Sequence, residues 1–290
     1  MTTAIVTDST SDIPPEIATS KHIHIVPLNV HFGDETLLDG VTIKSDEFFK
    51  RLKRSKGGQG PFPKTSQPSA GLFMEAYKEA AKTAEHIVSI HLSSKVSGTY
   101  NSAVQAKQEL GVAGAKIEVI DTLQASMALG LIAMQVADAV KSGATFHAAS
   151  ELARSLSKRA RFFGLLDTLE YLHKGGRIGR AQLFLGSLLN VKPILGLVEG
   201  VAHPVVRARG RQKGLTMLAA MARKEGPLSA LCVLYGEDRA GAEQLAASLQ
   251  DLAPGQIASK HSVVVAQFGP VLGTYLGPEA LGIALIKAGP

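Results

Sequence analysis

Short β-branched runs alternate with helix-like stretches through the first half of the chain, and this alternation limits the fold more than any other feature. The runs span residues 4–7, 24–30, 86–92 and 116–120. Between or after them lie helical stretches at 14–20, 46–56, 70–83, 101–110 and 123–141. Strands alternating with helices build a mostly parallel sheet flanked by helices. Ligands of such sheets bind beyond the carboxyl ends of the strands, where loops lead into helix starts. Three loops hold that position here: "TDSTSD", "LSSKVSGT" and "DTLQAS".

The second half has a different rhythm. After a helix at 145–158, apolar runs follow one another closely: "RFFGLLD", "VKPILGLVEG", "VAHPVVRARG", "LSALCVLYG", "SVVVAQ" and "LGIALI". "GLVEGVAHPVV" has strand period on both sides of Glu199-Gly200, which reads as a hairpin turn. With helices near 211–223 and 241–252, this half predicts an antiparallel sheet with helices on one face. The chain of 290 residues is long enough for two such units. The expectation is an α/β fold in two domains, 1–160 with the hydroxyl-rich loops and 161–290 as an α+β unit. "KGGQGPFPK", rich in Gly and Pro, is a loop within the first.

Several function classes find no support. The net charge of +6 is modest. Its densest basic run, "KRLKRSK", follows "SDEFF" and reads as the solvated end of a helix capped by Ser45. No nucleic-acid motif accompanies it. Cys232 is the only cysteine and sits in an apolar run, so no disulfide forms within the chain, as suits a reducing compartment. The N-terminus lacks the pattern of a signal peptide. The longest apolar stretch, 125–140, carries Gln135 and Asp138 and reads as a buried amphipathic helix, not a membrane span. A cytoplasmic protein is expected. No P-loop, G-x-G-x-x-G or G-x-S-x-G pattern occurs. His22 and His24 alternate with isoleucines as strand faces do, with no ligand-spaced partners for a metal.

The hydroxyls remain. Ser93, Ser94, Ser97, Thr99, Tyr100 and Ser102 crowd the passage from one strand into a helix. Gly98 lets backbone approach a ligand, and Ser97 reads as the cap of a helix beginning near Thr99. Free N–H groups at such a start attract anions, and hydroxyls add donors that rotate to fit. In "PKTSQPSAG", Thr65 and Ser66 precede Pro68, which suits a first helical turn, and Ser69 follows. A single cluster is more often a cap than a site. Two of them with no arginine between shift the reading towards a site for one anionic head group held by hydrogen bonds alone, with paired helix caps as the alternative. Asp8 and Asp12 read as caps after the first strand, with a carboxylate group including Asp39 as the alternative.

These motifs resemble the DegV family, whose members include the fatty-acid-binding subunits of bacterial fatty acid kinase. The matching pieces are "IVTDSTSDI", "VPLNVHFGDETLLDG", "PKTSQPS", "LSSKVSGTYNSA", "VIDTLQASMALG", "LEYLHKGGRIG", "LLNVKPIL" and "FGPVLGTYLGPEALG". They occur in family order and cover nearly the whole chain. The resemblance implies a lipid-binding protein without catalytic residues or cofactor, which buries a long-chain acid such as palmitate between its domains. It implies head-group contacts at Thr65 and Ser97, with Ser66, Ser93, Ser94, Gly98 and Thr99 close by. A partner kinase then phosphorylates the acid to an acyl phosphate for phospholipid synthesis. Arg209 in "RARGRQKG" and Arg177 in "HKGGRIG" match partner-facing positions. Relatives of the kinase-coupled type often carry His where this chain has Tyr275, and Gly where it has Glu279. A phenol donates one hydrogen bond but brings no positive charge at neutral pH.

The division of labour has a physical logic. Neutral donors steady a carboxylate that must later attack phosphorus, whereas a bidentate arginine would occupy both oxygens. An acid of about 14 to 18 carbons gains about 0.8 kcal/mol for each buried methylene, so the tail supplies most of the affinity. "MALGLIAM", "FFGLL", "LFLGSLLN" and "ILGLV" offer tunnel walls, though each also reads as plain core. The leading expectation is a presenter of fatty acid to a kinase, with no nucleic acid and no stable membrane insertion. An uncoupled carrier or sensor is the alternative, and a serine hydrolase using Ser97 lacks a His–Asp partner set.

Overall fold

The structure, a computed structural model, describes residues 2–184, 191–253 and 263–289. In chain order the first half forms β1 (Thr3–Asp8), α1 (Pro15–Ser20), β2 (Ile23–Val26), β3 (Asn29–Phe32), β4 (Glu35–Leu38), α2 (Ser45–Lys56) and β5 (Lys64–Ser66). It continues with α3 (Ala70–Ala80), β6 (His86–His91), α4 (Thr99–Glu109), β7 (Ile117–Asp121), α5 (Met127–Lys141) and α6 (Phe146–Arg159). From there run β8 (Ala160–Leu165), α7 (Glu170–Lys174), β9 (Val191–Val198), β10 (Val201–Arg209), α8 (Arg211–Lys224) and β11 (Leu228–Tyr235). The last elements are α9 (Arg239–Ser248), β12 (Val264–Gln267), α10 (Pro270–Leu276) and β13 (Leu281–Lys287).

The alternating runs pair as a parallel sheet in the order β2-β1-β6-β7, as the sequence predicts. One expected strand divides. Residues 24–30 contain Pro27, which offers no N–H to a ladder. β2 stops at Val26, and the chain restarts as β3 in a separate antiparallel sheet of order β4-β3-β5. Thr65 and Ser66 therefore lie on β5, not at a helix start. Pro68 stays outside α3, whose cap is Ser69, with its Oγ accepting from Leu72 N at 3.2 Å.

The later strands form a six-stranded sheet in the order β10-β9-β8-β13-β11-β12. It is antiparallel except where β11 meets β12. The expected hairpin is present: Glu199 and Gly200 both take positive φ, 52° and 80°, as a two-residue turn of matching twist requires.

Neither face of this sheet is open: its own helices α8 and α9 cover one face, as the sequence predicts, and α5 of the first half packs on the other. Alternate residues of β11 enter different cores. Leu231 and Val233 pack outward in the core shared with α8 and α9, while Ala230, Cys232 and Leu234 pack inward. The inner neighbour is α5, which also touches β1, β8 and β13. Nearly every residue of α5 from Met127 to Ala137 is buried, as expected of a helix held between two sheets. Its start is four residues later than the sequence suggests, because Leu123 and Ser126 take positive φ. The layers thus run α3 and α4, parallel sheet, α5 and α6, six-stranded sheet, α8 and α9. α10 crosses back to pack on α2, α7 and β3.

Candidate functional site

The three loops beyond the parallel strands are tied to one another. Leu92 N donates to Asp8 Oδ2 at 3.1 Å, Ser94 N to Asp121 Oδ1 at 3.2 Å, and Ser126 Oγ to Asp12 Oδ2 at 2.6 Å. Beside them lies a cavity of about 100 Å³. Thr65, Ser66, Gln67, Ser97, Arg177 and Tyr275 supply its polar lining, and Leu28, Leu92, Phe162, Leu195 and Val271 supply apolar wall. Thr65 and Ser97, far apart in sequence, are brought to one mouth.

The polar groups are interlocked. Thr65 Oγ1 and Tyr275 OH share a hydrogen bond. Ser97 Oγ lies 2.9 Å from Thr99 Oγ1 and accepts from Thr99 N at 3.3 Å, while Gly98 holds the cap position of α4. Asn29 Nδ2 donates to Ser66 Oγ at 3.0 Å. Arg177 lies over the Tyr275 ring, 5.5 Å from its centroid, and donates to the carbonyls of Val96 and Gly175. A Cβ on Gly175 would stand 2.5 Å from the Tyr275 ring, so only glycine leaves room for that phenol.

Other predicted residues stand behind this lining. Ser93 Oγ donates to Gly200 O at 2.7 Å and fastens the loop to the β9–β10 turn. Ser94 ties to β7 as above, Thr99 is buried under Ser97, and Gly98 is covered by the Gln67 amide. Arg209 is exposed at the end of β10, away from the cavity. Two expectations change. The donors do not sit on two helix starts, and they are not all neutral, because Arg177 brings a charge to the mouth. Among the wall candidates, "FFGLL" contributes Phe162 and "ILGLV" contributes Leu195, Gly196 and Leu197. "MALGLIAM" is core of α5, and residues 185–190 of "LFLGSLLN" lie outside the described residues.

Two further arrangements lie near these residues, and the first has no local sequence signal. Tyr77 OH, Ser89 Oγ, His91 and Asp8 form a buried chain with links of 2.9, 2.6 and 2.9 Å. Ser–His–Asp order invites comparison with a hydrolase. Ser89, His91 and Asp8 are all fully buried and none lines the cavity, so no substrate reaches them. Burial also pushes the Tyr77 phenol up. The chain instead joins β1 to β6 and orients Thr10, whose Oγ1 donates to Asp8 and which lines the cavity.

The second arrangement is acidic. Asp8 caps the turn after β1, accepting from Thr10 N at 3.1 Å. Asp12 and Asp39 receive the start of α10: Gly269 N donates to Asp12 at 2.9 Å and the Val271 amide to Asp39. Both the cap reading and the carboxylate-group reading therefore hold in part. Burial raises both carboxyls, Asp12 well above its ordinary value and Asp39 to about 7, against the lowering effect of hydrogen bonds from Ser126 and Ser9 respectively. These acids wall a broader cleft of about 1130 Å³ between β2 and β12. Ile23, Ile25, Val265 and Ala266 also line that cleft, but none of the predicted hydroxyls is in it.

Fold and site together define a layered α/β protein with an apolar cavity, polar at its mouth. The family model described as "Uncharacterised protein, DegV family" matches residues 2–288, and the chain belongs to the DegV family. It is 37% identical over 287 residues to a DegV domain-containing protein of Streptomyces coelicolor, covering 97% of each chain. It is 33% identical to the protein DegV of Bacillus subtilis, covering 98% of each. Among solved structures, a DegV family protein from Thermus thermophilus described as fatty-acid-binding superposes with a TM-score of 0.85 at 32% identity, covering 99% of this chain and 100% of the other. A stearic-acid-binding protein from Eubacterium ventriosum superposes at 0.87 with 27% identity, covering 99% and 98%. No helix among the described residues is long and apolar enough to cross a membrane.

Proposed function

We propose that this protein binds a long-chain fatty acid and presents its carboxyl group to a partner kinase, acting in the cytoplasm and without a cofactor of its own. The carboxylate lies at the mouth, held by Thr65, Ser97 and Tyr275, with Arg177 adding charge from the rim. The tail runs inward along Leu28, Leu92 and Leu195, which part to admit it, since the cavity of about 100 Å³ holds only its first few carbons. One observation carries this reading: a cavity with apolar walls brings Thr65, Ser97, Arg177 and Tyr275 into one lining, in a fold whose solved relatives are described as binding fatty acids. We further propose that residues 1–160 and 161–290 act as two jaws, since both line the cavity.

Native mass spectrometry of the purified protein tests the binding step. The expected result is one co-purified acid of about 14 to 18 carbons per chain, since each buried methylene adds about 0.8 kcal/mol. A ligand-free protein that ignores added palmitate overturns it. Incubation with a fatty acid kinase, ATP and magnesium tests presentation through acyl phosphate formation. The hydrogen bond between Tyr275 and Thr65 favours a second reading, an uncoupled carrier, because that phenol is engaged by the protein itself. Binding without phosphorylation selects it.

A further inference from the structure

One aromatic ring stands in the apolar wall of the cavity. Phe162 on β8 is 8% exposed and is, with Tyr275, one of two aromatic side chains in the described lining. The residues at the mouth, Thr65, Ser66 and Ser97, are half-buried, so the ring lies on the deeper side.

The sheet beneath this ring is hollowed out. Gly164 lies two positions along β8 and shares its face with Phe162. Gly282 on β13 is the cross-strand partner of Gly164. A Cβ on Gly164 would stand 3.3 Å from one edge of the Phe162 ring, and a Cβ on Gly282 would stand 3.2 Å from the other. Neither glycine has positive φ, so backbone conformation does not demand them. Their effect is a trough in which the ring lies down. Its far side meets Phe268 edge-on, with centroids 6.2 Å apart and planes at 77°.

We infer that Phe162, laid flat by Gly164 and Gly282, is the stop that sets how long an acyl chain the cavity accepts. This inference rests on the fatty-acid reading above. Removing the ring extends the cavity towards Phe268. Filling the trough lifts the ring into the cavity and shortens it. Mutations at two sites therefore shift selectivity in opposite directions, which general loosening of the core does not do.

The test uses the full chain, stripped of lipid and offered an equimolar mixture of saturated acids, with bound species read by native mass spectrometry. Phe162→Ala is expected to move the preferred acid about two to four carbons longer, following the space vacated by the ring. Phe162→Leu moves it less in the same direction. Gly164→Ala moves it in the opposite direction by about one carbon at most, because a methyl 3.3 Å from the ring displaces it only slightly. If Phe162→Ala fails to fold, Phe162→Leu and Gly164→Ala decide by the same signs. Bound acid with an unchanged length distribution, or shifts of the same sign at both positions, overturns the inference and leaves the binding reading standing. Wild-type protein that takes up none of the acids overturns both.

Discussion

Ser89 on β6 and Ser97 beyond its end belong to one short stretch of chain, yet they meet opposite surroundings. Ser89 is fully buried between Tyr77 and His91. Ser97 is half-buried, its hydroxyl bonds among the described residues to Thr99 alone, and it opens onto the cavity. Residue type does not separate a structural hydroxyl from a ligand-binding one. What separates them is access, and whether partners within the protein already satisfy the group.

The largest effect is expected on the sealed side. Asp8→Ala leaves Thr10 N, Leu92 N and the His91 ring without their buried acceptor, and should cost about 3–5 kcal/mol in urea unfolding. A loss under about 1 kcal/mol would mean that water replaces the carboxylate there. The next effect is a pH dependence. The Asp39 carboxyl keeps its proton to about pH 7 in the folded protein, against an ordinary value of 3.8. The folded state then binds more protons across that window, so stability falls as pH rises through it. Asp12, raised mainly by burial, contributes in the same sense; at Asp39 the nearby Asp8 charge adds to the effect of burial and the Lys44 ammonium opposes it. Asp39→Asn should make the decline shallower by on the order of 2–4 kcal/mol between its ends, measured as unfolding free energy against pH. An unchanged slope would assign the effect to other groups.

Smaller effects belong to the open side. Thr65→Ala combined with Ser97→Ala should weaken fatty-acid affinity by about 1–3 kcal/mol while leaving urea stability close to wild type. Equal affinity would place the carboxylate elsewhere. Arg177→Gln should cost about 1 kcal/mol or less at the exposed rim, with a weaker dependence on salt. A larger loss would make this charge, not the hydroxyls, the principal anchor.

Much of the scaffold was legible because its signals are local. β-branched runs gave the parallel strands, and Glu199-Gly200 gave a hairpin whose turn demands positive φ. The split at Pro27 was equally local, yet the apolar run on both sides masked it. The site was legible in part, since Thr65 and Ser97 sit in dense hydroxyl motifs. What joins them was not. His91 and Asp8 are 83 positions apart, and Thr65 and Tyr275 are 210 apart, so their pairing exists only once the layers assemble. Arg177 stood out in "HKGGRIG", but its place over the Tyr275 ring, beside the close packing that Gly175 allows, appears only in the folded chain.

β13 comes last among the strands but lies between β8 and β11 in the middle of its sheet. A nascent chain still missing residues 281–287 holds two half-sheets with nothing to join them. The sheet on which β8 lies is therefore closed only when β13 docks, a pairing of high sequence separation that forms late in folding. The wall that Phe162 and Leu195 give the cavity takes its shape at that same step.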